Sequence, residues 1–204
     1  MEINKDYLKA FIKSQDIKST GFIGLLSKEE YESVAQHIFK TIKSSLLLYK
    51  NDFYSPSYFM SLVAMEEIAK VTIRGIVSPN INLAEVKRSK DPLFDHRSKH
   101  AIAFSDVLLI GDRLKKAIGE SRLHEIFNDF TSGVASNSRE SAIYFSRDES
   151  HLRLPENEIT PQNSLELLLI SMEAYADQYH GMTQIVSEYS DILDVDFDEL
   201  LLQK

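Results

Sequence analysis

The chain has no cysteine, only seven glycines and five prolines, and no apolar run that approaches the length of a membrane span. Each shortage closes a class of explanation. Without thiols there can be no disulfide and no thiolate zinc site, which sets aside the small stapled domains of secreted proteins. Spanning a bilayer takes about 18 apolar residues in succession. The N-terminal MEINKDYLKAFIK is charged throughout and lacks the apolar core of a signal peptide. The expectation is a soluble, cytoplasmic chain with no membrane attachment. So few glycines leave little material for nucleotide loops. No phosphate-binding glycine loop, Gly-x-Ser-x-Gly elbow or His-Glu-x-x-His helix occurs.

Charge is plentiful but unevenly placed. The net charge of −8 is carried by the second half, while residues 1–100 hold a small basic excess. An acidic half repels phosphates, which argues against non-specific duplex binding driven by counterion release. One local stretch could still act as a basic site: Lys87, Arg88, Lys90, Arg97 and Lys99 stand against Asp91 and Asp95. It reads either as a solvated mixed-charge face or as a guide for an RNA backbone.

A length of 204 residues suffices for one sizeable core. The expected organisation is one domain over 1–204, with a core at 27–190 and an acidic closing helix at 191–204. Helical spacing dominates. One helix is predicted from the N-cap Ser27, with Glu30 three residues on as in a capping box, to Tyr49, with Ala35, Ile38, Ile42 and Ser45 as its seam. A second spans about 57–77, and another runs from near Phe94 to Ile118. A shorter amphipathic helix carries Leu123, Ile126, Phe127 and Phe130. A long one over 162–190, entered by Thr160-Pro161, carries an apolar seam that would pack in its own bundle or pair with a second chain. Residues 131–160 read as a long loop or small hairpin in which Ile143-Tyr144-Phe145 is the one strand-like run. The fold class is therefore an all-α helical bundle.

Two helices place polar groups inside. On the 94–118 helix, His96 and His100 fall on the stripe of Val107, Gly111, Leu114 and Ile118, with Lys99 and Arg97 at its edges. On the 57–77 helix, Glu66 lies among Phe59, Leu62, Ala69 and Ile73, flanked by Glu67, Lys70 and Arg74. A buried carboxylate requires donors, and inward-facing imidazoles can supply them. Glu66, Lys70, His96, Lys99 and His100 are therefore expected to meet. Such a cluster is either a satisfied polar network that fixes helix register or an acid–base site. One Glu with two His at i and i+4 could also ligate a metal. The neighbouring lysines and the lack of a second Glu-x-x-His motif argue against a metal or any other cofactor.

Three runs carry a resemblance: KNDFYSPSYFMSLVAMEEIAK, then FDHRSKH, then RESAIYF before a long final helix. Together, over about residues 30–190, the chain resembles the AbiV family of bacterial abortive-infection proteins, HEPN-like helical bundles. The resemblance implies phage defence, a homodimer, and activation by a phage-encoded protein. The matching positions are Glu66, Glu67, Lys70, His96, Lys99 and Tyr144. HEPN relatives are frequently metal-independent ribonucleases using an Arg and a His with four to six residues between them. Here Arg97 and His100 have two residues between them and Arg147 and His151 three, so neither pair fits.

Two mechanisms follow as expectations. In one, the chain binds a protein partner and arrests host translation or growth, with Glu67, Arg74, Arg97, His100 and Tyr144 as contact residues. In the other it cleaves RNA: His96 is the general base, Lys99 or Lys70 neutralises the phosphorane, and Glu66 orients the imidazole.

Overall fold

The computed structural model describes residues 25–74, 96, 99, 100, 102–104, 112–132 and 134–202, together with positions 5, 8, 9 and 12. Helix α1 spans Lys28–Lys50. Ser27 caps it, its Oγ accepting from the Glu30 backbone N–H at 3.2 Å, while the Glu30 carboxylate reaches back to the Leu26 N–H at 2.6 Å. The return bond thus goes one residue beyond the N-cap. Ala35, Ile38, Ile42 and Ser45 are fully buried, as their spacing predicts. Burial of each isoleucine stabilises by about 2 kcal/mol, against about 1 kcal/mol for the cap.

A turn at Asn51–Phe53 folds the chain back into α2, Tyr54–Arg74. Asp52 takes a left-handed backbone (φ 65°), a conformation that Asp tolerates better than most residues. Pro56 sits in the first turn of α2, where an absent N–H costs nothing, so it starts the helix instead of breaking the one before. At the contact of the two helices the side chains are small. Ser45 Oγ donates to the Ser57 carbonyl at 2.7 Å and lies 2.9 Å from Ser57 Oγ and 2.8 Å from Ser61 Oγ. All three serines are fully buried.

Residues 96, 99, 100 and 102–104 are helical; Val107 and Gly111 lie outside the described residues. Helix α3 (Arg113–Ile118) is separated by Gly119, at φ 96°, from α4 (Glu120–Ser132). Helix α4 buries Leu123, Ile126, Phe127 and Phe130, the four positions its periodicity marks. The 131–160 stretch is more regular than a long loop. It holds α5 (Val134–Ser141), strands β1 (Ser146–Arg147) and β2 (Leu152–Arg153) in an antiparallel hairpin, and the short α6 (Pro155–Glu158). Ile143-Tyr144-Phe145 is not the strand; it is an exposed turn between α5 and β1.

The long helix expected over 162–190 is two helices, α7 (Pro161–Tyr179) and α8 (Gln184–Leu202). Gly181 turns the chain at φ 82°, and Met182 projects into solvent. Residues 191–202 accordingly belong to α8 and form no separate closing helix. Helix α7 is the centre of the bundle, buried at every position from Ser164 to Tyr175 and in contact with α1, α2 and α8. Its seam packs within its own chain. Thr160 and Asn163 form a reciprocal capping box at its start. Tyr175 donates its hydroxyl to the Ala35 carbonyl at 3.2 Å, and Tyr189 on α8 stacks on Phe39 at 4.6 Å between centroids. Among the described residues no helix is long and apolar enough to cross a membrane.

Candidate functional site

Glu66 stands on the face of α2 that points into the bundle, between the buried Met65, Leu62 and Ala69, and is only 5% exposed. Stripped of water, an ionised carboxylate is costly, so its surroundings decide whether it can stay charged. Four cationic or imidazole groups converge on it. His96 Nδ1 lies 2.8 Å from Oε1 and His100 Nε2 lies 3.1 Å from the same oxygen. Lys99 Nζ donates to Oε2 at 2.7 Å. Arg139, on α5, brings its Nε to 3.3 Å from Oε1. That N–H is not directed at the oxygen and has no hydrogen-bond partner among the described residues, so Arg139 acts on Glu66 through its charge.

The three histidine-segment groups fall on one helical face because 96, 99 and 100 are spaced by three and four residues. Behind them, α4 supplies Phe130, whose ring meets the His100 ring edge-on at 5.3 Å. Burial pushes the Glu66 carboxyl toward its neutral form. Hydrogen bonds from His100 and Lys99, with the charges of both, outweigh that push and hold the group well below the usual carboxylate range. Glu66 is thus an ionised acceptor, and the imidazole nitrogens that face it carry the hydrogens. For a neutral His96 this leaves Nε2 as the basic nitrogen.

Exposure separates the roles. Lys99 and His100 have side chains 6% and 0% exposed, whereas His96 is 43% exposed. His96 is the one member of the triplet that a solute can reach. The expected meeting of Glu66, His96, Lys99 and His100 is present. Lys70 is not among the contacts of Glu66: it pairs with Glu67 on the half-buried flank of α2, because three residues back on a helix is as close as four and Glu67 is the better solvated carboxylate. Tyr144 is 67% exposed in the turn after α5. The side chains of Arg74 and Arg97, and Lys87, Arg88 and Lys90, lie outside the described residues.

Arg139 is the member that sequence reasoning missed. It opens the RESAIYF run, in a segment whose serines and asparagine conceal its helical character. Its guanidinium also lies over the Phe59 ring, 5.1 Å from the centroid. With Lys99 and Arg139 beside it, Glu66 is a poor ligand for a cation. Among the described residues no group of three or more His, Asp or Glu side chains could hold a metal ion.

A second feature lies across Phe59 from the cluster. A groove of about 740 Å³ is bounded by the α1–α2 turn, the first turns of α2, the end of α5 and α6. Its lining is mostly apolar, and Phe53 at its edge is 58% exposed.

Residues 27–176, well over half of the chain, match the family described as AbiV, a HEPN family. No match is found among curated proteins or among solved structures.

Proposed function

The chain belongs to the AbiV family, and from that premise we propose that it acts in abortive infection as a binding effector. Family membership supports phage defence as the general role. In the finer reading, a phage-encoded protein triggers the chain in the cytoplasm, and the chain, as a homodimer, arrests host translation or growth by docking a protein partner.

The observation that carries this reading is the exposed apolar surface after α5 and at the α1–α2 turn. Phe53, Tyr144 and Phe145 are 58%, 67% and 72% exposed. Exposed aromatic side chains of this kind match the composition of protein interfaces. The lysines near His96, by contrast, are occupied: Lys99 is sealed against Glu66, and Lys70 is paired with Glu67. Neither ammonium is free to meet a phosphorane.

A second reading is favoured by one specific geometry. Glu66 grips His96 Nδ1 at 2.8 Å while much of the ring stays open, which is how a carboxylate orients a general base. As a ribonuclease, His96 would take the proton of a ribose 2′-hydroxyl through Nε2. The discriminating measurement is RNA integrity and protein synthesis during phage infection, in cells carrying the wild type or His96→Ala at matched folded levels. The binding reading expects synthesis to stop with RNAs intact. Discrete cleaved RNAs in wild-type cells, absent with His96→Ala, would replace it with the ribonuclease.

A further inference from the structure

The apolar groove beside Phe59 has the features of a built site. Its two walls are locked together: Ser55 Oγ on α2 donates to the Ala142 carbonyl at 2.7 Å, and Arg139 on α5 covers the Phe59 ring. Ordering costs are therefore met before anything binds. The volume, about 740 Å³, falls in the usual range of ligand pockets, about 300–1,000 Å³. Leu48, Phe53, Pro56, Phe59, Met60 and Ile143 supply an apolar lining. Tyr144 and Phe145, which follow Ile143 in the chain, are exposed as well. Patches of this kind mark interaction sites in soluble proteins.

Among the described residues, the charged ones that line it are of one sign. They are Asp52 and Glu156. Asp52 is held in place: its left-handed backbone fixes the turn, and Tyr54 donates its hydroxyl to Oδ1 at 2.5 Å. An acidic lining repels a phosphate backbone and complements a lysine or arginine.

We propose that this groove, in the docking role inferred above and resting on that reading, binds an apolar segment of a partner protein that carries basic residues beside its apolar ones. The apolar side chains fill the space between Phe53, Met60 and Ile143, and the basic groups meet Asp52 and Glu156. An amphipathic helix laid in a groove is the familiar form of such recognition. Occupancy of the groove reaches Phe59, and so the ring on which Arg139 rests.

The test is a methyl and amide NMR titration of the full chain with a peptide of alternating leucine and lysine pairs, and with its leucine–glutamate counterpart. The expected result is saturable shifts centred on Leu48, Phe53, Met60 and Ile143 with the lysine peptide. Affinity should fall about tenfold or more for the glutamate peptide, for Asp52→Asn with Glu156→Gln, and for Phe53→Ser. Phe53 is largely exposed, so its replacement leaves the fold intact. Equal binding of both peptides, shifts spread over the acidic face of α8, or concentration-dependent broadening of the same residues without peptide would each overturn the proposal, the last by making a second copy the occupant. Protection against phage, measured with Phe53→Ser in cells, separates the two ideas. Lost peptide binding with full protection leaves the groove assignment standing and removes it from defence. Lost protection without any peptide binding keeps the docking role and discards the basic segment.

Discussion

Arg139 rests its guanidinium over the ring of Phe59, 5.1 Å from the centroid, while its Nε lies 3.3 Å from the Glu66 carboxylate. One residue therefore forms part of the wall between a surface groove and a buried ion cluster. Phe59 lines the groove, and Glu66, two turns along the same helix, anchors the histidines. Whatever alters one side acts on the position of a charge felt by the other.

Within the cluster the closest sealed pair is Lys99 with Glu66, each side chain 6% exposed. Lys99→Met is expected to destabilise the fold by about 3 kcal/mol, because it leaves a buried carboxylate with less compensation. Adding Glu66→Gln should recover part of the loss, since a neutral amide needs no counter-charge. Urea unfolding of the two single variants and the double variant measures the coupling. Independent, additive losses would show that the pair is not coupled.

Acid should weaken the protein through Glu66. Its carboxyl is held below the ordinary value of 4.5, so below that pH the unfolded chain takes up a proton before the folded chain does. The stability contributed by the folded carboxylate is complete above about pH 5 and is lost progressively as pH falls. Glu173 opposes this, since burial raises its pKa and acid relieves a charge held in a dry place. The larger shift belongs to Glu66. The urea midpoint is therefore expected to fall steadily from about pH 5 to about pH 3, with a flatter and lower profile for Glu66→Gln.

Small residues at the α1–α2 contact predict a size limit. Ser45→Ala removes one hydroxyl from the serine trio and should cost about 1 kcal/mol. Ser45→Leu must also push the helices apart and should cost a further 1–3 kcal/mol or so. Thermal melts of the two variants give the comparison; a leucine tolerated as well as alanine would contradict the close packing.

At the turn, Asp52 is expected to accept glycine almost without penalty. Glycine relieves the left-handed backbone but gives up the Tyr54 hydrogen bond, so Asp52→Gly should fall within about 0.5 kcal/mol of the wild type. Asp52→Val keeps the strained angle with a branched side chain and should lose about 1–2 kcal/mol. Chemical denaturation separates the two.

Much of this architecture is legible in one sequence. The seams of α1 and α4 and the inward placing of Glu66 and His100 follow from a 3.6-residue period, and the Ser27 cap from its capping-box spacing, whereas His96, expected on the same inward stripe, meets Glu66 with its side chain still 43% exposed. The division of α7 from α8 does not. Tyr179, Met182 and Val186 preserve helical spacing across a single glycine, and only its positive φ shows the break. Lys70 was misplaced for a related reason: spacing gives it Glu66 and Glu67 as equal neighbours, and solvation chooses between them. Arg139 left no periodic signal, because three-dimensional proximity to Glu66 comes from α5, a short polar helix.

The order in which the cluster is synthesised adds a consequence of its own. Glu66 leaves the ribosome 30 residues ahead of His96 and 34 ahead of His100. At typical elongation rates the gap is roughly 2 to 7 s. During that interval α1 and α2 can already close on one another through the serine contact, across a short turn whose loop entropy is low. The nascent hairpin then shows an apolar face of Leu62, Met65 and Ala69 with an unneutralised carboxylate in its midst. A charge in such a place discourages sticking to other chains, as gatekeeper residues do. By that rule, the residue that later anchors the histidines would first help to keep the unfinished chain from sticking to others.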